Sequence, residues 1–406
     1  MTSENNRVGE LEPDPICPSC GHKGLQIFYE VQNVPVHSCL MLKTRDEART
    51  FPCGDIKLGF CESCGFITNV AFDPKTEAYA ANYEDQQTFS PTFQTYAEAL
   101  ARRLIDSHNL RDKDIIEIGC SKGDFLILLC ELGHNRGIGI DPAAVEGRVQ
   151  SEAADRISFI CDYYSEKYAH LHADLICCRH TLEHIHPTSE FMTVLRRGIG
   201  DRVDTKIFFD LPDAKRVLTE CAFWDIYYEH CSYFTAGSLA RLFRSTGFDV
   251  TYLDRDFADQ WLVIEAVPAS GKPTASYQIE ETSETIARHI REFTDNVRDE
   301  KQRWRERLSL WRETGRRAAV WGSGSKCVSF LTTMDAADLV DCVVDINPHR
   351  HGLFIPGAAK EVVAPDVLKT FQPDDIVVMN PIYENEIREM LAGMELYPNL
   401  LSLGMA

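Results

Sequence analysis

The sequence predicts an α/β protein: two doubly wound units of strands and helices, preceded by a small metal-binding module. Three observations predict it. The knuckles "CPSCG" and "CESCG" lie near the start. A strand–glycine turn–helix segment, "DIIEIGCSKGDFLILLCELG", opens a run of apolar strands alternating with helices. A second such segment, "RRAAVWGSGSKCVSFLTTM", recurs toward the end. At about 100–200 residues per domain, the 406 residues divide into a module at 1–75, a central unit at 76–267, a linker at 268–280 and a last unit at 281–406.

The module carries Cys17 and Cys20, then Cys61 and Cys64, each pair followed by glycine. Cys-x-x-Cys puts two sulfurs on one tight turn, and the glycine lets the backbone curl. Four thiolates make a closed tetrahedral set that suits a structural Zn2+ and leaves no position open for chemistry. Cys39, Cys53, His22 and His37 are alternative ligands. The long insert between the knuckles has to fold as its own small unit.

The central unit begins with a polar stretch and an amphipathic helix, "FQTYAEALARRLIDSHNL". "IIEIG" is a buried strand. Gly119 and Gly123 bound a turn filled by Cys120, Ser121 and Lys122, and a helix runs to Gly133. Such a turn brings backbone N–H groups close to a ligand. It matches neither G-x-G-x-x-G nor a Walker Lys-Ser/Thr. "RGIGID" is a second strand ending in Asp141, about 20 residues past the turn, where a carboxylate grips a ribose. "ISFICDYY" is a third, with Asp162 at its end as a ligand contact or a helix cap. "ADLICCRH" is a fourth, followed by "TLEHIHP", and "KIFFDLP" is a fifth. The alternation implies a parallel sheet covered on both faces. His180 is a candidate contact to cofactor or substrate, whereas Glu183 and His184 read as shaping the sheet edge.

Past the linker "VPASGKPTAS", a charged helix over about 281–313 carries Ile290, Phe293, Val297, Trp304, Leu308 and Trp311 on one stripe. Core packing is the preferred reading of that stripe, and a dimer seam the other. The last unit repeats the glycine turn with Gly322 and Gly324, then a strand ending at Asp345. Lys326 would be the countercharge if that turn holds a phosphate or nucleotide. An empty structural copy is the equally weighted reading.

A net charge of −20 argues against nucleic acid and anionic membranes as partners. No run approaches the ~20 apolar residues that span a bilayer. The polar start "MTSENNRVGELEPDP" lacks an apolar signal core, so a cytoplasmic location is expected. The fifteen cysteines then serve as thiols and metal ligands rather than disulfides.

The order E-x-G-x-x-x-G, Asp141, Asp162, "RHTLEH" resembles the class I S-adenosylmethionine-dependent methyltransferases, with their Rossmann-like sheet. The resemblance implies S-adenosylmethionine as cofactor. Glu117 and Gly119 would border its methionine end, Asp141 its ribose hydroxyls and Asp162 its adenine amine. Cys120, Gly123 and His180 complete the candidate cofactor contacts. Together with the cysteine pairs and "VVDINPHRHGLFIPG", nearly the whole chain is similar to the three-domain sugar C-methyltransferases, which modify nucleotide-linked deoxysugars. In that family a Tyr-x-Glu-His segment followed by Ser-Tyr is implicated in removing a proton. Here it is "IYYEHCSYFT", residues 226–235. The resemblance assigns Tyr227, Glu229 and His230 as catalytic, with Tyr83, Tyr233 and Lys326 as candidate substrate contacts. One departure stands out: where the family has Gly-Gly-Ser-x-Arg, this chain has "DRDFADQWLVIEA", with Gln260 and Trp261 in place of small residues and a cation.

The expected activity is C-methylation of a nucleotide-linked keto-sugar through an enolate. Alternatives are O- or N-methylation of another small metabolite, and a non-catalytic binding scaffold. The expected acceptor is a small molecule, and the expected acting species a monomer or a homodimer.

Overall fold

The computed structural model describes residues 15–76, 83–145, 150–269, 271 and 275–404. The polar N-terminal stretch and linker residues 270 and 272–274 lie outside the described residues.

The module is an antiparallel sheet of β1 (Gln26–Pro35), β2 (Cys53–Phe60) and β3 (Ile67–Asn69). The insert between β1 and β2 holds helix α1 (Arg45–Arg49), begun by a Thr44–Glu47 capping box. A fourth strand comes from far along the chain. Ser232–Tyr233 pairs antiparallel with β3, and Thr68 Oγ1 and the Asn69 N–H both donate to the Cys231 carbonyl, at 2.8 and 2.9 Å. The acid–base segment is thus stitched to the cysteine-rich module.

The central unit runs α2 (Pro91–His108), β4 (Asp114–Ile118), α3 (Asp124–Gly133), β5 (Arg136–Ile140), β6 (Ile157–Ile160), β7 (Leu175–Arg179), α4 (Thr188–Ile199), β8 (Lys206–Pro212), α5 (Ala214–Thr219), β9 (the Ser232–Tyr233 strand), α6 (Ala236–Ser245), β10 (Phe248–Asp256) and β11 (Trp261–Pro268). Its seven-stranded sheet has the order β10-β11-β8-β7-β4-β5-β6. The five strands read from the sequence are parallel, as expected. The sheet as a whole is mixed, because β11 runs antiparallel to β8 and β10 antiparallel to β11. The segment "DRDFADQWLVIEA" is the turn of that hairpin, with Phe257, Ala258 and Asp259 all at positive φ.

Period-two alternation explains the layering. Ile116 and Ile118 of β4 enter a core with α4 and α6, whereas Ile115 enters a second core with α2 and α3. Residues of β7 alternate in the same way.

The last unit comprises α7 (Ser283–Glu313), β12 (Ala318–Trp321), α8 (Ser325–Thr333), β13 (Cys342–Val344), β14 (Val362–Val363), α9 (Leu368–Phe371), β15 (Asp375–Val378), α10 (Glu384–Gly393) and β16 (Asn399–Ser402). Its five strands are all parallel, in the order β14-β13-β12-β15-β16. The α7 stripe is buried within the chain, which answers the choice between core and dimer seam. Phe293 meets Tyr29 of β1 with ring centroids 5.3 Å apart. One apolar core runs through β1, β2, α5, α7 and the last sheet, so the three units are packed as one.

Candidate active site

The two knuckles fold alike. The Cys17 and Cys61 carbonyls each accept from the N–H of the glycine four residues on, Gly21 and Gly65, at 2.9 and 2.8 Å. Both glycines sit in the left-handed region, at φ 75 and 74°. All four sulfurs lie within 4.8 Å of one another. Cys17–Cys64 is 3.7 Å and Cys20–Cys61 is 3.6 Å. A tetrahedron with Zn–S bonds of about 2.3 Å has edges of about 3.8 Å, so the cluster fits the ion expected for it. The other candidate ligands are engaged elsewhere: His37 bonds Glu229, Cys39 lies near Ser325, and Cys53 and His22 are exposed.

The first glycine turn faces a cavity of about 850 Å³ shared by all three units. Gly119 has φ 72°, and a Cβ there would fall 1.9 Å from Thr181 Oγ1. Gly123 starts α3, and a Cβ there would strike the Phe159 ring at 2.5 Å, so this glycine also serves packing. Cys120 is buried and lines the cavity. Asp141 ends β5 and bonds back to the turn, accepting from Ser121 N at 2.8 Å and Ala143 N at 2.6 Å. Its carboxylate retains lone pairs for further donors. Glu117 is buried, and burial pushes its carboxyl up to about 8 against the pull of Arg179. One of its oxygens has no hydrogen-bond partner among the described residues, so the site is built for a cationic or donor group. Asp162 lines the cavity too, with Lys167 and then Tyr168 holding its carboxyl down at about 2.

His230 and Tyr227 line the same cavity, with ring centroids 4.1 Å apart. Burial, then His184, holds the His230 imidazole well below the ordinary histidine value, so it is neutral at pH 7 and able to accept a proton. Burial raises the Tyr227 phenol well above its usual range, which keeps it a donor. His180 sits edge-on to Trp261 at 4.2 Å and also faces the cavity.

Two expected site residues are placed differently. Glu229 is not among the cavity-lining residues. Its carboxylate turns into the module, where it accepts from His37 Nδ1 at 3.0 Å, Ser38 N at 3.0 Å, Tyr83 OH at 3.1 Å and the Ser38 hydroxyl. Burial opposes its ionisation, yet His37 and the other donors prevail and hold its carboxyl below the ordinary value. Tyr233 likewise lies outside the cavity lining and donates its hydroxyl to the Tyr227 carbonyl at 3.2 Å. Tyr83 lines the cavity while bonded to Glu229.

Several groups escaped sequence reasoning. Arg179 and Asp210 form a buried pair at 2.7 Å beneath Glu117. The signal was present: Arg179 ends one apolar strand, Asp210 interrupts the next, and the two are in register in the β7–β8 ladder. Asp85 accepts from the Ser121 hydroxyl at 2.6 Å, which no motif marked. Glu183 and His184 line the cavity and do not merely shape a sheet edge. From the last unit, Lys326 lines the cavity, bonded to Asp225 at 2.5 and 2.6 Å, with Arg216 on the other side of that carboxylate. Burial draws the Lys326 ammonium down to about 8 despite Asp225. The second turn copies the first: Gly322 N donates to Val344 O at 2.8 Å as Gly119 N does to Ile140 O, and Asp345 accepts from Ser323 N at 2.8 Å as Asp141 does from Ser121.

A methyltransferase domain matches residues 87–253, and a C-methyltransferase C-terminal domain matches residues 272–396. With the acid-tipped sheet, these define an S-adenosylmethionine-dependent methyltransferase. The chain is 24% identical over 394 residues to C-methyltransferase NovU of Streptomyces niveus, covering 93% of this chain and 92% of that protein. It is a multidomain enzyme of that class, related to NovU, with a four-cysteine metal cluster, a class I core and a C-methyltransferase-like last unit. Similar solved structures include magnesium protoporphyrin IX methyltransferase of Synechocystis PCC 6803, at 17% identity and TM-score 0.35 over 46% of this chain and 91% of that one. Another is 1,6-didemethyltoxoflavin-N1-methyltransferase of Burkholderia thailandensis, at 16% identity and TM-score 0.32 over 44% of this chain and 82% of that one. Among the described residues no helix is long and apolar enough to cross a membrane.

Proposed function

We propose that this enzyme methylates a carbon of a nucleotide-linked keto-deoxysugar, with His230 as the base. The observation that carries the reading is a buried, neutral His230 beside the Tyr227 phenol in the cavity that the Gly119 turn faces. S-adenosylmethionine supplies an electrophilic methyl group when bound. Glu117 and the Gly119–Gly123 turn would hold its methionine end, Asp141 its ribose hydroxyls and Asp162 its adenine, with Cys120 and His180 as neighbours. His230 takes the proton from the carbon beside the sugar carbonyl. Tyr227 donates to the oxygen on which the enolate charge gathers. Glu229 positions His230 by fixing the intervening backbone to the module. Arg216 and Lys326 both bond Asp225, and Arg216 also bonds Glu220, so the charges of this cluster balance while the Lys326 ammonium still offers N–H donors to a diphosphate at the cavity wall. Relatedness to a named C-methyltransferase favours carbon over oxygen or nitrogen as the acceptor. Fifteen cysteines with no disulfide among the described residues fit the reducing cytoplasm.

The test is deuterium exchange at the α-carbon of keto-sugar nucleotides in D2O without methyl donor. Exchange that depends on His230 is expected. Methyl transfer to a hydroxyl or amine, with no exchange for any turned-over acceptor, would refute carbon-acid chemistry.

A further inference from the structure

A second cluster of metal-binding groups lies inside the cavity. Glu183, His184 and His230 each offer one ligand atom, all within 4.8 Å of one another. Glu183 and His184 follow β7, and His230 precedes β9. The two imidazoles stand nearly perpendicular, at 88°, with centroids 4.7 Å apart. Glu183 is only 2% exposed, and neither carboxylate oxygen has a hydrogen-bond partner among the described residues. The His180 Nδ1 approaches to 3.6 Å, beyond hydrogen-bonding reach. A buried carboxylate with no hydrogen-bond donor is costly, and a cation between it and the imidazoles would satisfy it.

The donor set narrows the choice of ion. Two imidazoles and one carboxylate suit borderline divalent transition metals rather than Mg2+ or Ca2+. Bonds of about 2.0–2.2 Å imply ligand-to-ligand edges of about 3.3 Å, so small side-chain rotations would close the set. Three protein ligands leave a position open toward the cavity, unlike the closed four-cysteine cluster.

We propose that Glu183, His184 and His230 form a second, open site for a divalent transition-metal ion such as Co2+ or Zn2+. Its consequence for turnover rests on the carbon-methylation reading. A metal bound at His230 occupies the nitrogen lone pair that would accept the substrate proton, so occupation inhibits.

The experiment uses the full chain with zinc already in the four-cysteine cluster, titrated with Co2+. The expected result is one further bound equivalent, with visible d–d bands and no thiolate charge-transfer band. Glu183→Gln and His184→Gln should each weaken that binding about tenfold or more while the first zinc is retained. α-Proton exchange should fall as the second site fills. Absence of the further equivalent, or Co2+ binding that neither substitution weakens, overturns the site. Metal binding that leaves exchange undiminished would support the site and remove His230 as the base, so the two failures are distinct.

Discussion

Glu229 is the group whose removal tests the architecture most directly. Its carboxylate is buried and takes donors from His37, Ser38 and Tyr83, all on or beside the module. Hydrogen bonds to a charged group contribute about 1.5–3 kcal/mol each, and breaking a buried pair costs about 3–5 kcal/mol. Unfolding entropy of ~2.1 cal/mol/K per residue, over the 406-residue chain, is about 0.85 kcal/mol/K. Glu229→Gln should therefore lower the melting midpoint by about 4–6 °C. The pH dependence has a definite sign. The folded carboxyl titrates below the ordinary value of 4.5, so its contribution is complete above that value and is lost as pH falls through the folded pKa. The melting gap between wild type and Glu229→Gln should shrink in acid and persist at neutral pH. Calorimetric melts of wild type, His37→Ala, Glu229→Gln and the double variant supply the check. A coupling of at least about 1 kcal/mol is expected. Additive shifts, or a gap that grows in acid, would refute the tether.

Three further outcomes follow from the site. Asp141→Ala should weaken S-adenosylmethionine binding by about 10²-fold or more, because two charge-assisted hydrogen bonds are lost; calorimetry reads it, and a change below tenfold would remove Asp141 from the ribose. His230→Ala should bind the cofactor normally while turnover falls by about 10²–10⁴-fold; because burial holds the imidazole well below its ordinary value, wild-type turnover should also survive to pH values below the usual histidine range. Stripping the ion from the four-cysteine cluster, or Cys64→Ser, should unfold the module, and hydrogen exchange should then rise at residues 232–233 as well as in β1–β3.

Local signals were legible and long-range ones were not. The four-cysteine cluster could be read because each half lies within a single turn, where spacing alone determines geometry. The strands β4, β5, β7 and β8 were readable as apolar runs meeting turns or charges at their ends. The β10–β11 hairpin was missed because its tight turn uses Phe257, Ala258 and Asp259 at positive φ instead of the glycines that advertise such turns. Residues 226–235 looked like one catalytic cluster, yet Glu229 and His230 point to different neighbours: one into the module, the other into the cavity. Nothing nearby in sequence reveals that split, since the donors that claim Glu229 lie as many as 192 residues away. The same holds for Glu183, whose burial without a hydrogen-bond partner among the described residues emerges only from the assembled walls.

The two-residue strand that closes the module's sheet also limits how this enzyme can be recombined. A chimera cut between residues 75 and 76 would seat a foreign β3 edge against a native seam, mismatching the Cys231 carbonyl contacts and the donors to the residue-229 carboxylate. Exchange of the zinc-ligating end among relatives should succeed only when residues 226–235 travel with it. The structural cassette is therefore discontinuous along the gene, and exchanging either half alone should cost stability.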